Sequence, residues 1–313
     1  ETAVGHAKLV GNEPFTLAEL EPSIDIVEPL IKKDPRLLTL DQKKTLMDQY
    51  NDVMWGVPGV QTTIVAYGDG HKKIIFANSD GSYIEQQKID VSLRLSSTAR
   101  DGSEVQQAGI SLGSNGDFGV VEGLHQDARD IADKSVQLLS APRAKGGEYT
   151  VILDPVLAGV FTHEAFGHLS ESDHVYENDQ LKELMVLGRT FGGSHLNIVD
   201  GAAVPGLRGS YKYDDEGVPA SKSYLIREGE LVGRLHSRET AAKMGEGNSG
   251  NARAIDFRFE PIVRMTNTFI EPGTTTLEEM LSDVKEGVYA CNWYGGMTSM
   301  EMFTFSAREA YMV

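Results

Sequence analysis

The chain reads as an α+β protein. An N-terminal α+β domain with an antiparallel sheet is expected first, then a β-rich, barrel-like domain that carries one metal-motif helix. Three observations predict this class. Helical periodicity is confined to a few segments, and strand-like stretches are grouped between them instead of alternating with them. A composition break, Ala141 to Gly147, divides the chain, so the expected domains are 1–145 and 146–313. Finally, His163, Glu164 and His168 fall within one short stretch just after a capped, apolar segment.

The elements follow in order. Residues 14–55 read as helical. Thr39 and Gln42 have capping-box spacing, and Leu40, Met47 and Met54 recur near the helical period after them. Residues 60–113 read as antiparallel strands with turns at Gly68-Asp69-Gly70, Asp80-Gly81 and Asp101-Gly102. Ile89, Val91, Leu93 and Leu95 alternate with polar residues, as on a half-buried strand. Residues 124–140 form an amphipathic helix with Leu124, Ala128, Ile131, Ala132, Val136 and Leu139 on its apolar stripe.

After the break at 141–147 comes a short strand, Tyr149 to Leu153. Asp154 and Pro155 then supply an N-cap and an N1 proline for a helix expected to run to about Gly167. The remainder is glycine-rich and strand-like. Hairpins are expected at Asp214-Asp215-Glu216-Gly217 and Arg227-Glu228-Gly229-Glu230, with short helices at 237–244 and 275–284.

Composition excludes several function classes. The net charge is −17, so a phosphate backbone is repelled, and nucleic acid is not an expected partner. No apolar run approaches the ~18 residues of a membrane span, and no secretory signal opens the chain. Cys291 stands alone, which precludes an internal disulfide and fits a reducing, cytoplasmic setting. The glycine-rich segment 245–251 lacks the Gly-Lys-Ser/Thr ending of a phosphate loop and contains Glu246, so it reads as a flexible loop and a candidate lining of an active site. There is no Gly-x-Ser-x-Gly nucleophile elbow at a strand-to-helix turn. His6, His71, His125, His195 and His236 read as isolated structural or exposed residues.

The stretch His163-Glu164-Ala165-Phe166-Gly167-His168 has the parts needed to hold a divalent metal and activate a water. Its spacing is unusual. Histidines five residues apart are rotated by about 140° on a regular helix, too far to share an ion. The helix must therefore break or bulge between them, and Gly167 is the residue best suited to permit it. Two histidines are too few for a catalytic zinc, which usually takes three protein ligands. Cys291, His174, Glu171 and Glu177 are candidates for the third, and no spacing decides among them. The run Glu171, Asp173, His174, Glu177 reads first as a solvated acidic loop.

Several blocks together resemble the TldD/PmbA family, whose members were once described as modulators of DNA gyrase. They are Leu153 to His168, Arg208-Gly209-Ser210, Asp214 to Gly217, Leu225 to Gly229, Arg264 to Thr268 with Glu271-Pro272-Gly273, and Gly295-Gly296 through Phe303 to Tyr311. The similarity is strong over 150–313 and diffuse before it. The resemblance implies a zinc-dependent peptidase, with an N-terminal α+β domain and a C-terminal β-rich domain, acting on short or unfolded peptides. It implies His163 and His168 as zinc ligands and Glu164 as the general base that activates a metal-bound water. It implies a dimer, with itself or with a related PmbA-like subunit. The family's third ligand, a cysteine in a Gly-Val-Cys-Gly-like stretch, has no counterpart here, and Cys291 lies in a different block. The chain is therefore expected to be a fragment, incomplete in its first domain and truncated in its second, or to carry an altered metal site. The alternative reading is a metal-free, PmbA-like partner or peptide-binding subunit without activity of its own.

Overall fold

The computed structural model describes residues 2, 5, 6, 16–298 and 303–313. The first sheet is built on β3 (Tyr83–Asp101). It pairs antiparallel with β2 (Val60–Ala77) on one side, and with β4 (Glu104–Asn115) on the other. The short β1 (Ile24–Val27) runs parallel to β3 beside its first residues. Ile89, Val91, Leu93 and Leu95 turn inward as their alternation requires. Val91, Leu93 and Leu95 share a core with two helices, Leu40–Trp55 and His125–Gln137. The resulting core includes Tyr50, Met54, Val91, Leu93, Leu95, Phe118, Ile131 and Ala132.

The Thr39 capping box closes reciprocally. Gln42 N donates to Thr39 Oγ1 at 3.2 Å, and Thr39 N donates to Gln42 Oε1 at 2.8 Å. The helix expected over 14–55 is thus real only from Leu40. From residue 16 to the cap the chain is mostly irregular, and Ile24–Val27 joins the sheet because β3 offers that stretch an open edge. Residues 14 and 15 lie outside the described residues.

Two of the three expected turns are present, with left-handed Gly81 and Gly102 at φ 105° and 57°. The third is not a turn. Gly68, Asp69 and Gly70 sit inside β2, paired with Ser92, Val91 and Asp90. The continuous ladder overrides the local turn chemistry, and Asp69 is fastened by Lys43 at 2.6 Å.

The second half contains three further sheets among the described residues. One is β5 (Thr150–Leu153), β12 (Gly287–Thr298) and β13 (Phe303–Met312), with β12 central. Another runs in the order β11 (Thr268–Ile270), β6 (Ile198–Gly201), β7 (Lys222–Arg227), β8 (Glu230–Leu231). The smallest pairs β9 (Ala252–Arg253) with β10 (Ile262–Val263). The α+β class therefore stands, and the barrel-like description is corrected: the sheets remain separate and open. The physical reason is strand length, since β6 to β11 are two to six residues long and run out of partners before a sheet can close.

A second core gathers Phe166, Val175, Met185, Ile198, Leu225, Ile226, Leu231, Leu235, Val263 and Met265. The hairpin at Arg227–Glu230 and the helices Arg238–Met244 and Leu277–Asp283 form where expected. The segment after His168 is no acidic loop. It folds as two short helices, Ser172–Glu177 and Asp179–Leu184, whose Val175 and Leu181 are buried. Among the described residues no helix is long and apolar enough to cross a membrane.

Candidate metal centre

The motif helix, Pro155–Thr162, is held at its start by one side chain. Asp154 Oδ1 accepts from Leu157 N at 2.7 Å, capping the helix, while its Oδ2 accepts from Asn292 N at 2.9 Å on β12. The helix is thereby tied to the sheet it packs on.

Beyond Thr162 the chain enters a π-helical turn, His163–Gly167, in which His168 N bonds to His163 O. The i to i+5 bond widens the turn by one residue and brings the two ends of the motif together. The His163 and His168 rings meet edge to face with centroids 4.6 Å apart. Within the same turn Ala165 and Phe166 point into the second core, and Phe166 stacks edge-on against Phe191 at 5.5 Å. The expected bulge is thus present. The role given to Gly167 needs correction, because its φ of −59° and ψ of −60° are ordinary right-handed values. It lacks a side chain for a steric reason: a Cβ there would overlap the Met265 sulfur.

His163, Glu164 and His168 line one cleft of about 1000 Å³, together with Glu171, Arg253, Arg264, Met265, Phe269 and Trp293. Glu171 is fully buried beneath His168. Its Oε2 lies 3.1 Å from His168 Nδ1, 3.2 Å from an Arg264 guanidinium nitrogen and 3.5 Å from His174 Nε2, and its Oε1 accepts from Met265 N at 3.4 Å. Burial alone would raise the Glu171 carboxyl. The His168 hydrogen bond and the charges of His168, Arg264 and His174 outweigh it and hold the group below its usual range. The same hydrogen bond raises His168, whereas burial and then the nearby His168 push His163 down.

The residues present fit part of a zinc site. A carboxylate accepts at His168 Nδ1, so the neutral ring keeps its lone pair on Nε2, the arrangement by which a buried acid orients a ligating imidazole. Among the described residues no cluster of three or more His, Cys, Asp or Glu is placed to hold an ion. Of the third-ligand candidates, Glu171 has its oxygens taken up as above, and Glu177 is exposed and outside the lining. Cys291 is buried on β12 and also outside the lining, its thiol pushed up by burial.

Sequence reasoning missed Asp200, buried on β6. Its oxygens accept from Asn251 Nδ2 at 2.8 Å, Thr266 Oγ1 at 2.6 Å, Thr266 N at 2.8 Å and Thr268 Oγ1 at 2.7 Å. It thereby fixes Thr266 and Thr268, which line the cleft. An acid inside the apolar run Ile198-Val199-Asp200 was the available signal. The loop 245–251, read as flexible, is fastened by the same network, with Ser249 and Asn251 buried. His236 is not isolated either: it is buried against Ser172, Thr240 and Glu246.

Comparison with known proteins agrees with this architecture. The family model described as the PmbA/TldA metallopeptidase C-terminal domain matches residues 146–313, and that of the central domain matches 33–139. The chain belongs to the TldD/PmbA family. A metalloprotease of Synechocystis is 49% identical over 100% of this chain and 68% of its own length. A zinc metalloprotease TldD homolog of Saccharolobus solfataricus is 33% identical over 82% of this chain and 58% of its own. The chain spans about two thirds of the length of several curated metalloprotease relatives, at 68%, 66% and 64%. In fold it is similar to the crystal structure of TldE from Thermococcus kodakarensis, with a TM-score of 0.74 at 20% identity over 99% of this chain and 70% of that one.

Proposed function

We propose that this chain carries the catalytic wall of a TldD-like zinc peptidase that hydrolyses short or unfolded peptides. The observation that carries the reading is the π turn, which sets two imidazoles and one carboxylate on the lining of a single cleft. His163 and His168 would hold the zinc, with further coordination from groups outside this pair. When bound, the metal supplies Lewis-acid polarisation of the scissile carbonyl and lowers the pKa of water. Glu164 accepts the proton of the attacking water and returns it to the leaving amine. Glu171 keeps the His168 ring in one orientation from below. Val156, Val160, Phe269 and Trp293 give the cleft apolar walls suited to the side chains of an unfolded peptide. The wider assembly is a cytoplasmic dimer, of two copies or with a PmbA-like subunit. The family membership and the metalloprotease names of the relatives support this reading.

The test is cleavage of an unstructured fluorogenic peptide by zinc-loaded protein, with and without a chelator, beside Glu164→Gln. A loss of about 10²- to 10⁴-fold with zinc content unchanged is expected of Glu164→Gln. Undiminished cleavage by that variant rejects the mechanism. Peptide binding without zinc uptake or cleavage by the wild type would identify a metal-free partner subunit instead.

A further inference from the structure

Three arginines line the His163–Glu164 cleft beyond its histidines, and they differ in their partners. Arg208 is gripped by Asp90 through two bonds of 2.8 Å. Arg264 is paired with Glu171 at 3.2 Å. Arg253 is different. Among the described residues its side chain makes one hydrogen bond, from Nη1 to Met265 O, long at 3.4 Å, and no ion pair with a carboxylate.

Its backbone is nonetheless held firmly. Ala252 N donates to Asp214 Oδ2 at 3.0 Å, and Ala254 N donates to Asp215 Oδ2 at 2.9 Å, so both neighbours are pinned. Met265, which Arg253 touches, packs on Gly167 of the π turn and hydrogen-bonds Glu171. Arg253 also lines a second cavity of about 760 Å³ between the first sheet and the second half, beside Lys72 and Lys88. It therefore stands where the two hollows meet. Burial pushes the Lys88 ammonium down, and Arg208, Arg253 and Lys72 push it further while Asp90 opposes them. The two linings together set Lys72, Lys88, Lys212, Arg208, Arg253 and Arg264 against Glu28, Asp214, Asp215, Glu164 and Glu171, in a chain whose net charge is −17.

We propose that Arg253 is a specificity residue that binds a carboxylate of the peptide substrate, either its C-terminus or an acidic side chain. The guanidinium presents a planar fork matched to that group, on a strand that needs no rearrangement to offer it. This rests on the peptide-hydrolase reading of the cleft and narrows its substrate class.

One unstructured sequence made in four forms tests it: free or amidated C-terminus, each with an internal Glu or Gln. Affinity for the zinc-free chain is read by fluorescence anisotropy, and kcat/KM by cleavage with the zinc-loaded chain. Wild type is expected to favour one carboxylate form about 10-fold or more over its neutral counterpart, and the favoured pair names the source. Arg253→Gln should abolish that ratio, weakening the favoured carboxylate peptide by about the wild-type ratio and the amidated Gln peptide far less. Arg253→Lys should keep part of it, as a point charge without the fork. A wild type with no preference, or an Arg253→Gln protein that keeps the wild-type ratio, overturns the proposal. If the amidated Gln peptide is still bound and cleaved in those cases, the peptidase reading survives alone. If no form is bound or cleaved, both fall.

Discussion

Glu171 and Asp214 are both buried acids, and their surroundings treat them in opposite ways. Cationic and imidazole partners hold Glu171 ionised beneath the candidate metal centre. Among the described residues Asp214 has only backbone donors: Glu216 N and Val218 N at 2.9 Å each to Oδ1, and Ala252 N at 3.0 Å to Oδ2. Burial dominates there and pushes its carboxyl up to about 7. A folded-state pKa above the unfolded one favours the neutral acid. Its stabilisation is full below the unfolded value, near pH ~4, and is lost as pH rises through about 7. Asp214→Asn should flatten the stability profile across that window, and lower it throughout by ~1–3 kcal/mol, because one backbone N–H loses its acceptor. Urea denaturation at a series of pH values checks this, and an unchanged slope refutes it. The Asp at position 214 was visible as a turn residue; its titration was not, because burial is set by strands far away in the chain.

At the scale of the element, the π turn decides the site. A regular helix through His163–His168 would satisfy local propensity and separate the imidazoles. The inserted residue puts them edge to face and still buries Ala165 and Phe166. The need for a bulge was legible from the spacing alone, because five residues cannot return to one face at 3.6 per turn. Its steric basis was not, because the neighbour that Gly167 accommodates is Met265, on a distant segment. Gly167→Ala should cost roughly 1–3 kcal/mol by overpacking, measured by thermal or chemical denaturation. Combined with Met265→Ala, it should cost less than the sum of the two single changes. Strict additivity would show that the contact does not constrain the turn. The same limit explains Gly68-Asp69-Gly70, where turn-type residues are overridden by a long ladder.

Across the whole molecule, the two cores meet along a polar seam. Gln86 of β3 is its centre. Its Oε1 accepts from Lys212 N at 2.7 Å and Tyr213 N at 3.0 Å, and its Nε2 donates to Tyr213 O at 2.9 Å. Lys88 Nζ adds a bond of 2.6 Å to Arg208 O, and Tyr213 reaches Asp25 at 2.9 Å. This seam bounds the cavity that Arg253 shares with the cleft. Gln86→Ala strands three backbone groups and should destabilise the chain by roughly 2–4 kcal/mol. The urea midpoint read from Trp55 and Trp293 fluorescence measures it, and a wild-type midpoint would mean the seam carries no stability.

The sequence by itself determined the α+β class, the capped helices and their apolar stripes, the candidate motif with its required bulge, and the family. All of these depend on residues near one another in the chain, where propensity, periodicity and hydrogen-bond reach operate. Only the tertiary structure decided that Glu171 lies under His168, that Asp200 fixes the threonines of the cleft, that the short sheets stay open, and that Arg253 lines two hollows with no carboxylate paired to it among the described residues. The His168–Glu171 bond itself spans only three residues, but the burial of Glu171 and its Arg264 partner, like the other features, depend on segments far away in the chain, and such contacts exist only once the chain has packed.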